Sequence, residues 1–187
     1  MTSVQSVADM SFTSFDQYAR HDDSRMFEWV DGAIELLPSL SPTQERMRDK
    51  LLDLLSSYVE ENSMGLVVPA PFAIRMPEEM RRGREPDLLF IPNEFVETVQ
   101  ETYVNSHGVW LVIEITDARN RSLDRGDKFR DYEMAGIYDY WIVDVDRRDV
   151  HFYQLTRDHY EQVALGDDGC YISRALKGYR VTPSDLW

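Results

Sequence analysis

Residues 88–91 (Leu-Leu-Phe-Ile) and 109–113 (Val-Trp-Leu-Val-Ile) are unbroken apolar runs. Runs of this length without a polar position read as strands covered on both faces, the interior of an α/β sheet. Residues 140–143 (Tyr-Trp-Ile-Val) read the same way, and 150–155 is expected to pair with them through a turn at Asp146-Arg147-Arg148. Elsewhere the pattern alternates. Residues 26–30 and 33–37 flank Asp31-Gly32, a dipeptide that tolerates the positive φ of a tight turn, and predict a hairpin. Ser41-Pro42-Thr43-Gln44 supplies an N-cap, a proline at the first helical position and a capping-box glutamine. Met47, Leu51, Leu54, Leu55, Tyr58 and Val59 then follow at helical spacing. A short helix is predicted over 14–20 with Ser14 as cap, and another from Ser122 to about Ala135 with Gly136 as its stop. Residues 66–68 and 72–75 read as short strands, followed by an arginine-rich turn. Residues 159–165 and 170–176, around Asp168-Gly169, read as an outer hairpin.

Two of the apolar runs end on acids. Asp87, after Pro86, opens the first, and Glu114 follows the second. A carboxylate at the end of a buried run is costly to desolvate, so it has either a partner or a role. If the two runs are neighbouring strands, their acids meet as a minimal oxygen site for a hard divalent cation. In the helix that follows, i, i+4 spacing puts Asp124, Lys128 and Tyr132 on one face beside that sheet.

Acid at a strand start, acid at a strand end and a nearby lysine are the parts of the PD-(D/E)XK nuclease site. The chain resembles the Uma-type family of restriction-endonuclease-like proteins within that superfamily. The motifs that carry the resemblance are Glu85-Pro86-Asp87-Leu-Leu-Phe-Ile; Val112-Ile-Glu114-Ile-Thr with Asp124-x-x-x-Lys128-x-x-x-Tyr132; and Gly136-Ile-Tyr-Asp-Tyr140-Trp141-Ile-Val-Asp144. Phe27-Glu28-Trp-Val-Asp31-Gly32 is similar to the family's opening hairpin, so the likeness runs from about residue 14 to 155. The resemblance implies a restriction-endonuclease-like α/β fold, a central mixed β-sheet flanked by helices, here with an N-terminal hairpin and C-terminal β-hairpin additions. It implies a metal-dependent endonuclease acting on DNA phosphodiester bonds, with Mg²⁺ or Mn²⁺ held by Asp87, Glu114 and the Ile115 carbonyl, and with Lys128 beside them as the third catalytic group. Accessory candidates are Glu28, Gln44, Glu45, Asp124 and Tyr132. Two positions depart from the family pattern: Gln44 stands where a histidine is frequent, and Thr116 stands where the superfamily's lysine normally lies, two residues after the strand glutamate. The second departure is what nominates Lys128.

Charge changes this picture. Among 187 residues, 20 Lys and Arg against 34 Asp and Glu give a net charge of −14, whereas proteins that grip duplex nucleic acid usually carry a basic footprint. Nine of the 20 basic residues nevertheless flank the acids: Arg75, Arg81, Arg82, Arg84, Arg119, Arg121, Arg125, Lys128 and Arg130. They predict a local positive rim, with Arg119, Arg121 and Arg125 as phosphate contacts and weak, salt-dependent DNA binding. The acidic balance and the missing strand lysine support a rival expectation, a catalytically inactive homo-oligomer that keeps the nuclease fold; a homodimer is expected in either case. The length and the 43% hydrophobic content suit one domain over 1–187. No apolar stretch approaches the roughly 18 to 20 residues of a membrane span, and the first residues lack the basic-then-apolar order of a signal peptide, so a cytoplasmic protein without membrane contact is expected. One cysteine, Cys170, leaves no internal disulfide, and the four histidines show no ligand spacing.

Overall fold

The structure, a computed structural model, describes residues 12–20, 27–119 and 126–187. In chain order its strands are β1 (Phe27–Val30), β2 (Ala33–Leu36), β3 (Gly65–Pro69), β4 (Ala73–Arg75), β5 (Arg82–Arg84), β6 (Leu88–Pro92), β7 (Tyr103–Asn105), β8 (Leu111–Thr116), β9 (Asp139–Asp144), β10 (Asp149–Thr156), β11 (His159–Gln162), β12 (Tyr171–Ile172) and β13 (Arg180–Val181). The helices are α1 (Phe15–Ala19), α2 (Pro42–Glu61), α3 (Asn93–Val96) and α4 (Asp127–Met134). Short 3₁₀ turns occupy Glu78–Met80, Ser106–Gly108 and Pro183–Leu186.

Six strands form the main sheet in the order β11-β10-β9-β8-β6-β3, antiparallel throughout except for the parallel pair β8 and β9, which the α4 crossover joins. The apolar runs alternate between its two faces. Leu88 and Phe90 of β6, Leu111, Ile113 and Ile115 of β8, and Trp141 and Val143 of β9 pack under Met47, Leu51, Leu55 and Val59 of α2. Leu89, Ile91, Val112, Tyr140 and Ile142 pack on the other side with Tyr132 of α4, Ile74 of β4 and Val104 of β7. Burial on both faces is why these segments show no polar position. Among the described residues, no helix is long and apolar enough to cross a membrane.

A second sheet, β2-β1-β5-β4-β7, was only half legible. Its hairpin is the expected one, with Asp31 and Gly32 at φ 52° and 92°. The arginine-rich turn, however, is a 3₁₀ turn followed by strand β5, which pairs with both β1 and β4. Gly83 lies opposite Trp29, and a Cβ there would come within 2.7 Å of the Phe15 ring; only glycine lets α1 close over this face. Alternation turns Arg82 and Arg84 to the opposite face, toward α4.

The C-terminal expectation is corrected. Residues 159–165 and 170–176 do not pair with each other: β11 extends the main sheet beside β10, while β12 pairs with β13. Fully buried Asp139 at the start of β9 anchors this segment. Its Oδ2 accepts from Tyr171 OH (2.8 Å), Ser173 Oγ (2.6 Å) and the Arg174 and Ala175 amides (3.0 and 3.2 Å). Burial pushes the Asp139 pKa up even though these bonds pull it down. Asp139→Ala leaves the buried Tyr171, Ser173 and Ala175 donors and the part-buried Arg174 amide without this acceptor, so equilibrium urea unfolding is expected to show a loss of about 2 kcal/mol. Unchanged stability would mean that water replaces the carboxylate.

Candidate active site

Strands β6 and β8 are antiparallel neighbours with Leu88 opposite Ile113, so the next position of that register sets Asp87 opposite Glu114. Residues opposite one another share a face. Asp87 and Glu114 therefore point to the α4 side of the sheet, continuing the Leu89 and Val112 positions. Both are buried, at 4% and 2% exposure. Asp87 Oδ2 accepts the Ile115 amide at 2.6 Å. Burial, and then the negative charge of Glu114, push the Asp87 carboxyl up to about 7, with the Ile115 bond, Lys128 and Arg48 opposing.

From α4, one turn apart, Lys128 and Tyr132 both reach Glu114 Oε1, at 3.0 and 2.7 Å. For Lys128 and Tyr132 the helical register read from the sequence is the one observed. Burial and the Glu114 charge hold the Tyr132 phenol well above its ordinary range, so it donates as a neutral hydroxyl. Lys128 is also buried, and its ammonium lies 3.2 Å from Glu28 Oε1. Glu28, on β1 of the second sheet, is fully buried and accepts the Glu85 amide at 3.1 Å through the same oxygen. Glu85 in turn accepts from Tyr18 OH at 2.7 Å, and burial followed by the Glu28 charge raises it to about 7.

Gln44 is buried at the start of α2 within the expected capping box. Its Nε2 donates to the Ile115 carbonyl at 2.7 Å, while its Oε1 accepts from the Ser41 amide and from Arg119 Nη2, both at 2.9 Å. Those donors fix which end of the amide faces Ile115. The carbonyl retains a second lone pair for another partner. Glu45, the neighbouring candidate, is exposed on the first turn of α2 and joins none of these bonds. Asp124, Arg121, Arg125 and the Ser122 cap lie outside the described residues; α4 itself is described from Asp127, with Gly126 as N-cap, and stops before Gly136 at φ 80°.

The positive rim needs correction. Arg84 is 1% exposed and faces inward, its Nη1 2.6 Å from Glu28 Oε2 and its Nε and Nη2 2.8 and 2.6 Å from Asp131 Oδ2. Burial works against its charge, but Glu28 and Asp131 outweigh burial and raise its pKa. Arg119 is held by Asp117 at 2.7 Å, Arg82 by Asp31 at 2.7 Å, Arg75 by Asp16 at 3.1 Å and Arg130 by Asp127 at 3.7 Å. Among the described arginines, the sequence-local Asp117 and Asp127 and the remote Asp16 and Asp31 thus offset much of the rim's charge. Sequence reasoning missed Arg84 and Asp131 as members of the buried cluster. Asp131 had a signal, since it stands three residues after Lys128 on the same helix face.

Among the described residues, no group of three or more His, Cys, Asp or Glu side chains is placed to hold a metal ion. Among the described residues, the register sets the Asp87 and Glu114 carboxylates opposite one another, and the Ile115 carbonyl follows Glu114 on β8.

A mixed sheet flanked by helices, with acids meeting at the ends of adjacent strands, is the restriction-endonuclease-like architecture. The same fold is found in a crystal structure titled as a putative nuclease belonging to DUF820 from Anabaena variabilis, with a TM-score of 0.72 at 12% identity over 92% of this chain and 96% of that one. The family described as "Uma2: Putative restriction endonuclease" matches residues 12–184, and the chain belongs to that family. No curated protein matches the chain.

Proposed function

We propose that the protein is a metal-dependent endonuclease that hydrolyses DNA phosphodiester bonds at the Asp87–Glu114 site. The observation that carries this reading is the cross-strand placement of two buried carboxylates on one face, with the Lys128 ammonium 3.0 Å from one of them. The donor set suits Mg²⁺ or Mn²⁺, which bind through one or two carboxylates and complete their shell with other oxygens, here including the Ile115 carbonyl. Burial, and then the Glu114 charge, raise the Asp87 pKa, and a cation bound between the two carboxylates would offset that repulsion. Such an ion, when bound, supplies the Lewis acid that lowers the pKa of water and offsets charge on the attacked phosphate.

The chain's own groups supply the rest. Asp87 and Glu114 orient the reacting centre, and the Ile115 amide fixes the Asp87 carboxylate. Lys128 brings positive charge to the oxygens that gain negative charge as water attacks phosphorus. Tyr132 donates to Glu114 and keeps it directed. Half-exposed Arg119 is the phosphate contact closest to this site in sequence; because Asp117 already holds it, DNA binding should be weak and salt-sensitive.

The second reading, an inactive homo-oligomer, is favoured by the pairing of the rim arginines with acids. A thermal melt with and without Mn²⁺ separates the two. A functional site should raise Tm, because the ion binds the folded carboxylates and stabilises by mass action, about 2.7 kcal/mol at one hundred times Kd. No metal-dependent shift, together with intact plasmid DNA, would favour the oligomer.

A further inference from the structure

Arg84 sits where the two sheets and α4 meet. Extending the β1–β5 register from Trp29 opposite Gly83 places Glu28 opposite Arg84, both on the face turned toward α4. The guanidinium uses its whole fork: Nη1 on Glu28 Oε2, and Nε with Nη2 on Asp131 Oδ2. Glu28 then offers its other oxygen to Lys128 at 3.2 Å, and Lys128 reaches Glu114 at 3.0 Å. We infer that Arg84 is a positioning residue, pinning Glu28 to Asp131 so that Glu28 holds the Lys128 ammonium against Glu114.

The physical reason is the length of the lysine side chain. Lys128 projects from an eight-residue helix on a flexible four-carbon stem, and one carboxylate does not fix such a chain. Glu28 gives it a second anchor from a different sheet. A fully buried Glu28, however, needs more positive charge than Lys128 alone provides. Without Arg84, Glu28 loses the partner that holds its other oxygen and is free to draw the ammonium away from Glu114, which displaces Lys128. The planar fork meets two carboxylates at once, so Arg84→Lys should restore charge without restoring position. The inference rests on the nuclease reading for its kinetic consequence only.

The chain has three lysines, and among them Lys128 alone is buried. Its ammonium protons should therefore give a slowly exchanging ¹H–¹⁵N signal at neutral pH in the metal-free full chain, assigned by its loss in Lys128→Met. In Arg84→Met that signal should broaden or vanish while the backbone spectrum stays folded. In the cleavage assay with Mn²⁺, Arg84→Met should lower kcat roughly 10-fold to 100-fold with little change in KM, the usual cost of losing a supporting contact around a site. In a Lys128→Met background it should lower kcat no further. A merely structural Arg84 would leave the ammonium signal in place, or its effect would multiply with that of Lys128→Met; either result overturns the inference, as does a wild type without a protected signal. If Arg84→Met does not fold, Glu28→Gln decides: loss of the signal supports the inference and retention overturns it. If wild type cleaves nothing, the nuclease reading fails, and the ammonium measurement still judges Arg84.

Discussion

Asp87→Asn is expected to reduce Mn²⁺-dependent cleavage of plasmid DNA by roughly 10³-fold or more, because in the proposed mechanism it removes a charged ligand worth several kcal/mol of transition-state stabilisation. The same change should stabilise the metal-free protein at pH 8. Asp87 is pushed up to about 7 by burial and by Glu114, far above its ordinary value of 3.8, so the folded state prefers the neutral acid. A group raised in this direction contributes stability that is complete below its unfolded pKa and is lost as pH rises through the folded one. Glu85, also raised to about 7, adds to the effect. Metal-free wild type should therefore melt lower at pH 8 than at pH 6, with a smaller difference in Asp87→Asn, and Mn²⁺ should restore more stability at pH 8. Cleavage that survives in Asp87→Asn would remove this site from the chemistry.

Lys128→Ala should lower turnover by roughly 10² or more, as loss of one group that stabilises developing charge does. Its position also makes it a stability residue. The ammonium lies between two buried carboxylates, and deleting one partner of a buried ion pair costs about 3 kcal/mol or more. Cleavage must therefore be compared at a temperature where near-ultraviolet circular dichroism shows both proteins folded, with Asp87→Asn as the inactive control. If folded Lys128→Ala turns over like wild type, the lysine belongs to the structure and the metal acts without it. Lost turnover with unchanged Mn²⁺-induced stabilisation is the expected pattern.

The strands that carry the two acids could be read directly, because segments buried on both faces are built mainly of apolar residues, and 88–91 and 111–113 are apolar throughout. The start of α2 was equally plain. Ser41, Pro42 and Gln44 form a local motif whose bonds close within four residues. Helical spacing put Lys128 and Tyr132 on one face without any knowledge of what that face meets.

Arg84 shows where such reasoning stops. In a run of three arginines within four residues the usual inference is solvent, since a charge is rarely buried unless paired. Its partners Glu28 and Asp131 lie 56 and 47 residues away, and nothing local to Arg84 in the chain points to either. Strands β5 and β7, three residues each, are too short to show alternation. The separation of β11 from β12 likewise depends on pairing energies between distant segments.

By itself, the sequence determined the elements whose stabilising interactions are local or purely hydrophobic: the main-sheet strands, the capped helix, the hairpin turn, and the acids at the ends of two apolar runs with a lysine on the helix that follows. Only the tertiary structure decided which charges meet. Register set Asp87 opposite Glu114 and Glu28 opposite Arg84, and docking of α4 brought Lys128 between two carboxylates. Periodicity records whether a residue is buried, whereas an ion pair depends on a distance of a few ångströms between groups remote in the chain, and that distance exists only once both sheets and the helix have packed together.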